Sequence, residues 1–163
     1  MNYKIREMQK GDWKSVSEIY QQGMDTNLAT FQTECPTNEE FDQSHIKQCR
    51  FVITDGDVIA GWAALTPVSS RCVYRGVAEV SIYIHDTHRG KGAGNQLLNF
   101  LSKQSEKDGI WTLQSGIMAD NKASIRLHEK CGFRQVGFRE RIGQDRFGQW
   151  RNTVLMERRS NLI

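Results

Sequence analysis

Residues 80–98 are the stretch that most constrains how this chain can fold. Residues 80–84 alternate in character as a half-buried strand does, and the leucines at positions 97, 98 and 101 recur at helical spacing. The turn between the two segments is rich in glycine and positive charge. A strand that passes through such a turn into a helix leaves several backbone N–H groups unpaired, and the helix start carries roughly half a positive charge. The sequence therefore predicts an anion site, which we interpret as a cradle for a pyrophosphate.

The glycine spacing separates this turn from two other phosphate loops. The P-loop pattern is absent, and Gly90, Gly92 and Gly94 follow a G-x-G-x-G spacing instead of the dinucleotide G-x-G-x-x-G. The order Arg89-x-x-Gly92-x-Gly94 resembles the pyrophosphate loop of the GNAT superfamily of acetyl-CoA-dependent N-acetyltransferases. A basic loop whose glycines serve only a tight turn is the structural alternative.

Length and composition narrow the class of protein. A chain of 163 residues fits one domain, residues 1–163, with a real core. The net charge of +3 is too small to predict a nucleic-acid partner. The cysteines at positions 35, 49, 72 and 131 form no C-x-x-C pair, so we expect free thiols and no metal site. No apolar leader or run of membrane length is present, so we expect no membrane partner and a cytoplasmic location.

The predicted elements define the fold class. Thr37 and Glu40 form a capping box, and Asp55-Gly56-Asp57 is typical of a hairpin turn. We predict helices over residues 13–23, 38–49, 93–109 and 121–132, and a final pair of strands over 135–141 and 150–157, joined by a loop that contains Gly143. Together with the earlier strands, these predict an α/β fold of the mixed α+β kind. Its central sheet is mixed and mostly antiparallel, with helices on both faces.

A second motif lies in residues 121–133. Asn121, Ser124, Gly132 and Phe133 match a segment of the GNAT superfamily at its spacing, and His128 stands where most members have Tyr. A narrower resemblance, to the phosphinothricin and methionine-sulfoximine acetyltransferase group, covers nearly the whole chain, and a His at this position is typical of that group. Its motifs here are Thr30-Phe31-x-Thr33, Pro36-Thr37-x-x-Glu40, Arg75 ahead of Glu79-Val80-Ser81-Ile82-Tyr83-Ile84, Ser124-Ile125-Arg126-Leu127-His128-Glu129 and Phe147-Gly148-Gln149-Trp150. Cys35 and Asn152 depart from the group's pattern, which has Pro and Asp there.

The resemblance implies a site for acetyl-CoA between two neighbouring strands that splay apart. The main chain of residues 82–84 would pair with the pantetheine arm, and a backbone N–H there would polarise the thioester oxygen. The amides of residues 90–95 would hold the pyrophosphate. The expected cofactor contacts are Ile82, Tyr83, Ile84, Arg89, Gly90, Lys91, Gly92, Ala93, Gly94, Asn95, Asn121 and Ser124. Lys91 as a solvated charge and Asn121 as a helix cap alone remain alternatives.

Two residues are candidates for proton transfer. Alternation places Glu79, Ser81 and Tyr83 on the polar face of their strand, opposite a continuous apolar face. Glu79 is the candidate base, directly or through water; its alternative is an ion pair with Arg71 or Arg75, or with a cross-strand partner. His128 is the candidate acid, since an imidazole titrates near neutrality, and a purely orienting role is its alternative.

An amino-acid substrate needs a cation for its carboxylate. Arg75 and Arg71, just upstream of the site strand, could supply a bidentate fork. Thr30 and Phe31 could line the pocket. The resemblance implies that Trp150 does so too, across the interface of a homodimer.

Three functions compete for this sequence. The leading hypothesis is an N-acetyltransferase acting by direct attack of a small amino-acid-like amine, such as phosphinothricin, methionine sulfoximine or methionine sulfone. A protein or peptide N-acetyltransferase is the second. A non-enzymatic acyl-CoA-binding regulator is the third, in which Glu79 and His128 would be dispensable.

Overall fold

The computed structural model describes residues 1–163, and its seven strands form one sheet. In chain order the strands are β1 (Tyr3–Glu7), β2 (Phe51–Asp55), β3 (Val58–Pro67), β4 (Val77–Ile84), β5 (Thr112–Met118), β6 (Arg134–Gln144) and β7 (Trp150–Arg159). They lie side by side in the order β1-β2-β3-β4-β5-β7-β6. Every neighbouring pair is antiparallel except β4 and β5. The predicted mixed, mostly antiparallel sheet is confirmed.

Four helices cover the two faces of this sheet, as predicted. They are α1 (Trp13–Asp25), α2 (Asn38–Ser44), α3 (Ala93–Lys107) and α4 (Lys122–Lys130). One face packs against α1 and α2 in a cluster centred on the fully buried Trp62. The other face packs against α3, whose leucines at positions 97, 98 and 101 are fully buried. No helix here combines the length and apolarity needed to cross a lipid bilayer.

The second helix is shorter than predicted. The capping box of Thr37 and Glu40 forms as expected, but the helix ends at Ser44 instead of residue 49 because His45 is extended. The guanidinium of Arg50 donates to the carbonyls of Asp42, His45 and Ile46, so the chain folds back around this side chain. Local helix propensity does not report hydrogen bonds of this kind between a side chain and the backbone, so the sequence did not predict the early end of α2.

The strand β6 is longer than predicted. It continues to Gln144, so Gly143 lies in the strand and not in the loop. The pairing register shifts between Arg139 and Gly143, where Arg141 has a left-handed backbone with φ of 50°. The Asn152 side chain accepts a hydrogen bond from the N–H of Arg141 at 2.8 Å. An irregularity of this kind breaks the alternation by which strands are recognised.

The sheet opens in its middle, between β4 and β5. These two strands pair over only three positions, from Val77–Thr112 to Glu79–Gln114. Beyond them β4 stays paired with β3 as far as Ile84, while β5 stays paired with β7 as far as Met118. The two halves of the sheet therefore diverge, and the expected splayed strand pair is confirmed.

Candidate active site

The gap between β4 and β5 widens into a cavity of about 1170 Å³. Its walls are β4, β5, the loop over residues 88–96, α4 and the irregular segment that follows α1. The charges on these walls are separated. Glu79 is the only carboxylate among the lining residues, whereas Arg89, Arg126 and Lys130 lie on the side formed by the loop and α4. The cavity thus offers one positive region and, on β4, one acid.

The loop ahead of α3 has the geometry predicted for an anion cradle. Gly90 and Gly92 have positive φ angles of 72° and 87°, and Gly92 is the N-cap of α3. None of the six consecutive N–H groups from residue 90 to residue 95 donates to a backbone acceptor, and the first such bond is from Gln96 to Gly92 at 3.2 Å. Six free donors at a helix start form a strong site for a phosphate group.

Two basic side chains brace this loop. The Arg89 Nε donates to the carbonyl of Ile84 at 3.1 Å, and the Lys91 Nζ donates to the carbonyl of Thr87 at 2.8 Å. Arg89 lines the cavity and Lys91 does not. Both hold the turn in shape while adding charge near the free amides.

The open edge of β4 is where a ligand could pair with the main chain. The His85 N–H donates to the carbonyl of Ala60 on β3. Because polar groups alternate along an antiparallel strand, the polar groups of Tyr83 also face β3, and those of Ile82 and Ile84 face the gap. Of the three residues expected to pair there, the geometry thus offers Ile82 and Ile84. The Tyr83 ring instead stacks between Trp62 and Tyr20, at 5.0 and 4.9 Å between centroids. Burial raises the pKa of its hydroxyl.

Glu79 faces the cavity without a basic partner. Its Oε1 lies 3.8 Å from the point where a Cβ on Gly116 would stand, across the gap on β5. Arg75 donates to the carbonyl of Cys72 and lies 5.6 Å from the Trp111 ring centroid. Arg71 lies over the Tyr74 ring. The ion pair considered for Glu79 is therefore not formed, and its carboxylate is free.

His128 is buried with one nitrogen directed at no protein partner. Its side chain is 1% exposed, and its Nδ1 lies 2.7 Å from the carbonyl oxygen of Ser124. A carbonyl only accepts, so Nδ1 carries the hydrogen and Nε2 keeps its lone pair. The Nε2 has no hydrogen-bond partner in the chain. Burial lowers the pKa of this imidazole, and its bond to the Ser124 carbonyl opposes that shift in part. The neutral ring is thus an acceptor at Nε2, and Nε2 must gain a proton before it can donate one.

Asn121 caps α4 and also reaches across the cavity wall. Its Oδ1 accepts from the N–H of Ser124, and its Nδ2 donates to the carbonyl of Leu28, both at 3.3 Å. The Ser124 hydroxyl lies 3.4 Å from the Nδ1 of His128. Both residues line the cavity next to His128.

The predicted substrate residues divide into two sets. Thr30 and Phe31 line the cavity, while Arg71, Arg75 and Trp150 do not. The two arginines lie on the exposed connection between β3 and β4, and Trp150 is 52% exposed at the start of β7. The substrate role of these three stays a prediction, since a single chain does not bring them to the cavity.

Several polar residues of the cavity were not anticipated from the sequence, among them Tyr20, Gln32, Ser44, His45 and Thr66. Tyr20 donates a short hydrogen bond to Gln32, and burial raises the pKa of Tyr20 to about 12. In the sequence Tyr20 is one of several apolar-face residues of α1, so nothing marked it as a wall of the site. No group of acidic, cysteine or histidine side chains has the geometry to hold a metal ion.

Comparison with known proteins places this geometry in a family. Residues 11–133 match the acetyltransferase (GNAT) family. A phosphinothricin N-acetyltransferase from Alcaligenes faecalis is 31% identical over 164 residues, which cover 96% of this chain and 82% of that protein. An L-methionine sulfoximine/L-methionine sulfone acetyltransferase from Salmonella typhimurium is 28% identical over 158 residues, 94% of this chain and 92% of the other. Among solved structures, the chain is similar to a GNAT superfamily phosphinothricin acetyltransferase from Sinorhizobium meliloti in complex with acetyl-CoA. The two sequences are 28% identical, the match covers 98% of this chain and 89% of that chain, and the TM-score is 0.88. The splayed strands, the glycine loop and these relatives agree: the chain belongs to the GNAT family of N-acetyltransferases.

Proposed function

We propose that this protein transfers the acetyl group of acetyl-CoA to the primary amine of a small amino-acid-like substrate. The relatives described above act, by their names, on phosphinothricin, methionine sulfoximine and methionine sulfone. They support an amino-acid analogue of this kind as the acceptor.

One observation carries the proposal: an unpaired strand edge and a run of free amides, four of them on residues that line the cavity (Gly90, Gly92, Gly94 and Asn95), lie at the same cavity. The amides of residues 90–95 suit a pyrophosphate, and the edge at Ile82 and Ile84 suits an extended arm that pairs as an added strand. The Ile84 carbonyl is already held by Arg89, so the Ile82 carbonyl and the two N–H groups remain available. These features suit the phosphates and the extended pantetheine arm of coenzyme A.

Acetyl-CoA, when bound, supplies the activated acetyl group, and the chain's own residues handle the protons. An amino acid arrives as an ammonium ion, and Glu79 is the only carboxylate that lines the cavity. Glu79 takes the first proton, directly or through water, so that the nitrogen can attack. The nitrogen sheds a second proton as the amide forms, and the free Nε2 of His128 is an acceptor for it. The imidazolium then donates this proton to the leaving sulfur. One proton therefore ends on sulfur and the other in water.

Substrate specificity is proposed to come from two sources. Arg71 and Arg75 have no acidic partner in this chain, so their guanidinium groups remain available to a substrate carboxylate. Trp150 would act across a homodimer. The hairpin of β6 and β7 exposes several large apolar side chains, which suits contact with a second copy; they are Val136, Phe138, Ile142, Phe147 and Trp150. The four free cysteines suit the reducing cytoplasm as the place of action.

A thiol-release assay with acetyl-CoA and a panel of methionine sulfone, methionine sulfoximine and phosphinothricin tests the function. We expect turnover with at least one amine, and loss of at least about 100-fold in kcat/KM for Glu79→Gln, as for a general base. Arg134→Met is the matched control, because Arg134 is an exposed residue that does not line the cavity and pairs with Glu157. Thiol release at background for every amine would refute the proposed substrate class. Turnover unchanged by Glu79→Gln would refute the role of the carboxylate.

A further inference from the structure

The segment after α1 forms one wall of the cavity. Residues 28–32 all line the cavity, yet this stretch has no helix or strand of its own. A wall built from irregular chain needs outside support to keep one shape. The supports that reach it come from α4 and from the β6–β7 hairpin.

Asp145 is the buried centre of this support. Its side chain is 1% exposed, and it accepts hydrogen bonds from the N–H groups of Phe147 and Gln149 at 2.9 and 3.0 Å. The same carboxylate accepts from the side chains of Asn27 and Arg151 at 3.1 and 3.2 Å. The turn of the hairpin and the wall segment are therefore joined at one carboxylate.

Arg151 extends the contact to a third element. Its Nη1 donates to the carbonyl of Asn27 at 2.8 Å, and its Nη2 donates to both carboxylate oxygens of Asp120 at 2.9 and 3.1 Å. The planar guanidinium thus fixes the wall segment against β7 and the turn that leads into α4. A lysine could carry the charge but not this fork.

The backbone of the wall is set at the same point. Asn27 has a left-handed conformation with φ of 56°, which few residues other than glycine adopt without cost. Its side chain and its carbonyl both bind the cluster, and the next carbonyl, that of Leu28, is held by Asn121. Further along, a Cβ on Gly143 would lie 3.2 Å from the Phe31 ring, so the hairpin also seats that ring. The direction of the wall is determined by contacts with residues more than 90 positions away.

We propose that Arg151 and Asp145, with Asp120, are positioning residues that hold the amine-side wall of the cavity. This inference rests on the proposed function and deepens it, because it names what sets the shape of the acceptor pocket. The Arg151–Asp145 pair is buried, and a buried ion pair is a weak source of net stability because desolvation offsets most of the attraction. Asp120 is exposed, and an exposed ion pair also adds little. The geometric role of this cluster, which aligns Thr30 and Phe31 with Glu79, accounts better for its presence.

Arg151→Met tests the inference in the full-length protein. We expect kcat/KM for the amine to fall by about tenfold or more through a higher KM, because misplacing a positioning wall by about 1 Å can cost up to about 100-fold. The KM for acetyl-CoA should stay within about twofold, since the cradle does not touch this cluster. Arg151→Lys should restore little of the loss. Arg134→Met, which breaks an exposed ion pair on the same hairpin, should change neither KM.

The variant Asn27→Gly provides a test that does not depend on Arg151→Met folding correctly, and hydrogen exchange provides one that needs no substrate. Asn27→Gly keeps the left-handed backbone and removes only the side-chain bond to Asp145, so it should raise the amine KM by a smaller factor. Hydrogen exchange of residues 26–32 should speed up in Arg151→Met and not in Arg134→Met. An amine KM and exchange rates equal to wild type in Arg151→Met, or an equal rise in both KM values, would overturn the inference. Absence of turnover in the wild-type protein would refute the proposed function, and the exchange rates would then decide the inference alone.

Discussion

Replacing Gly92 with alanine tests whether the left-handed turn makes the anion cradle. The φ of Gly92 is 87°, and a Cβ there would meet nothing within 4 Å, so the substitution adds backbone strain without a clash. A left-handed conformation costs a residue with a Cβ roughly 1–2 kcal/mol. Gly56, in the β2–β3 hairpin, has φ of 60° and equally open surroundings, and it does not line the cavity. Gly56→Ala is therefore a matched control with the same kind of strain.

The two variants separate stability from binding. If each loop keeps its shape, both lose about 1–2 kcal/mol of unfolding free energy, or roughly 2–8 °C in Tm. If the Gly92 turn relaxes instead, the amides lose their alignment and acetyl-CoA binding weakens by a factor of about 5–30 for the same energy. Thermal melts and calorimetric titration with acetyl-CoA measure both quantities. Gly92→Ala that matches wild type in Tm and in Kd, or a Kd that rises equally in Gly56→Ala, would refute the reasoning.

Two further predictions concern the cavity's charged and titratable groups. Because burial lowers the pKa of His128, its Nε2 stays unprotonated at pH values somewhat below 6.5. We therefore expect kcat/KM to fall on the acid side with a midpoint below pH 6.5. His128→Phe should lose most of the activity at neutral pH. A midpoint above 6.5 would contradict a neutral, buried imidazole. Arg126 and Lys130 line the cavity one helical turn apart and have no ion-pair partner. Replacing both with alanine should raise the KM for acetyl-CoA at low salt and make this KM less dependent on salt. An unchanged salt dependence would show that neither cation meets the phosphates.

The sequence predicted the geometry of the glycine turn, the candidate cofactor site, because that geometry is local. A strand, a glycine turn and a helix start occupy consecutive residues, and the free amides of residues 90–95 follow directly from their order. The apolar alternation of β4 also placed Ile82 and Ile84 correctly on the core side. A local sequence pattern is sufficient to predict a site whose residues are consecutive in the chain.

The proposed amine side of the cavity was harder to predict because distant residues build it. Asn27 and Asp145 are 118 positions apart, and neither stands in a motif that marks it as a partner of the other. The protonation state of His128 depends on its burial and on the carbonyl of Ser124, neither of which the sequence shows, so the choice between an acid and an orienting group stayed open. Arg71 and Arg75 were expected near Glu79 from proximity in the chain, but the connection that carries them is exposed and turns their side chains onto aromatic rings.

The parting of β4 from β5 leaves two half-sheets joined by three residue pairs. A ligand that pairs with the open edge of β4 would add contacts where the two halves of the sheet have none. Because a molecule bound only to the native form stabilises it by mass action, an excess of about 100 Kd would add about 2.7 kcal/mol. The resistance of this protein to unfolding and proteolysis would therefore rise and fall with the supply of its acetyl donor.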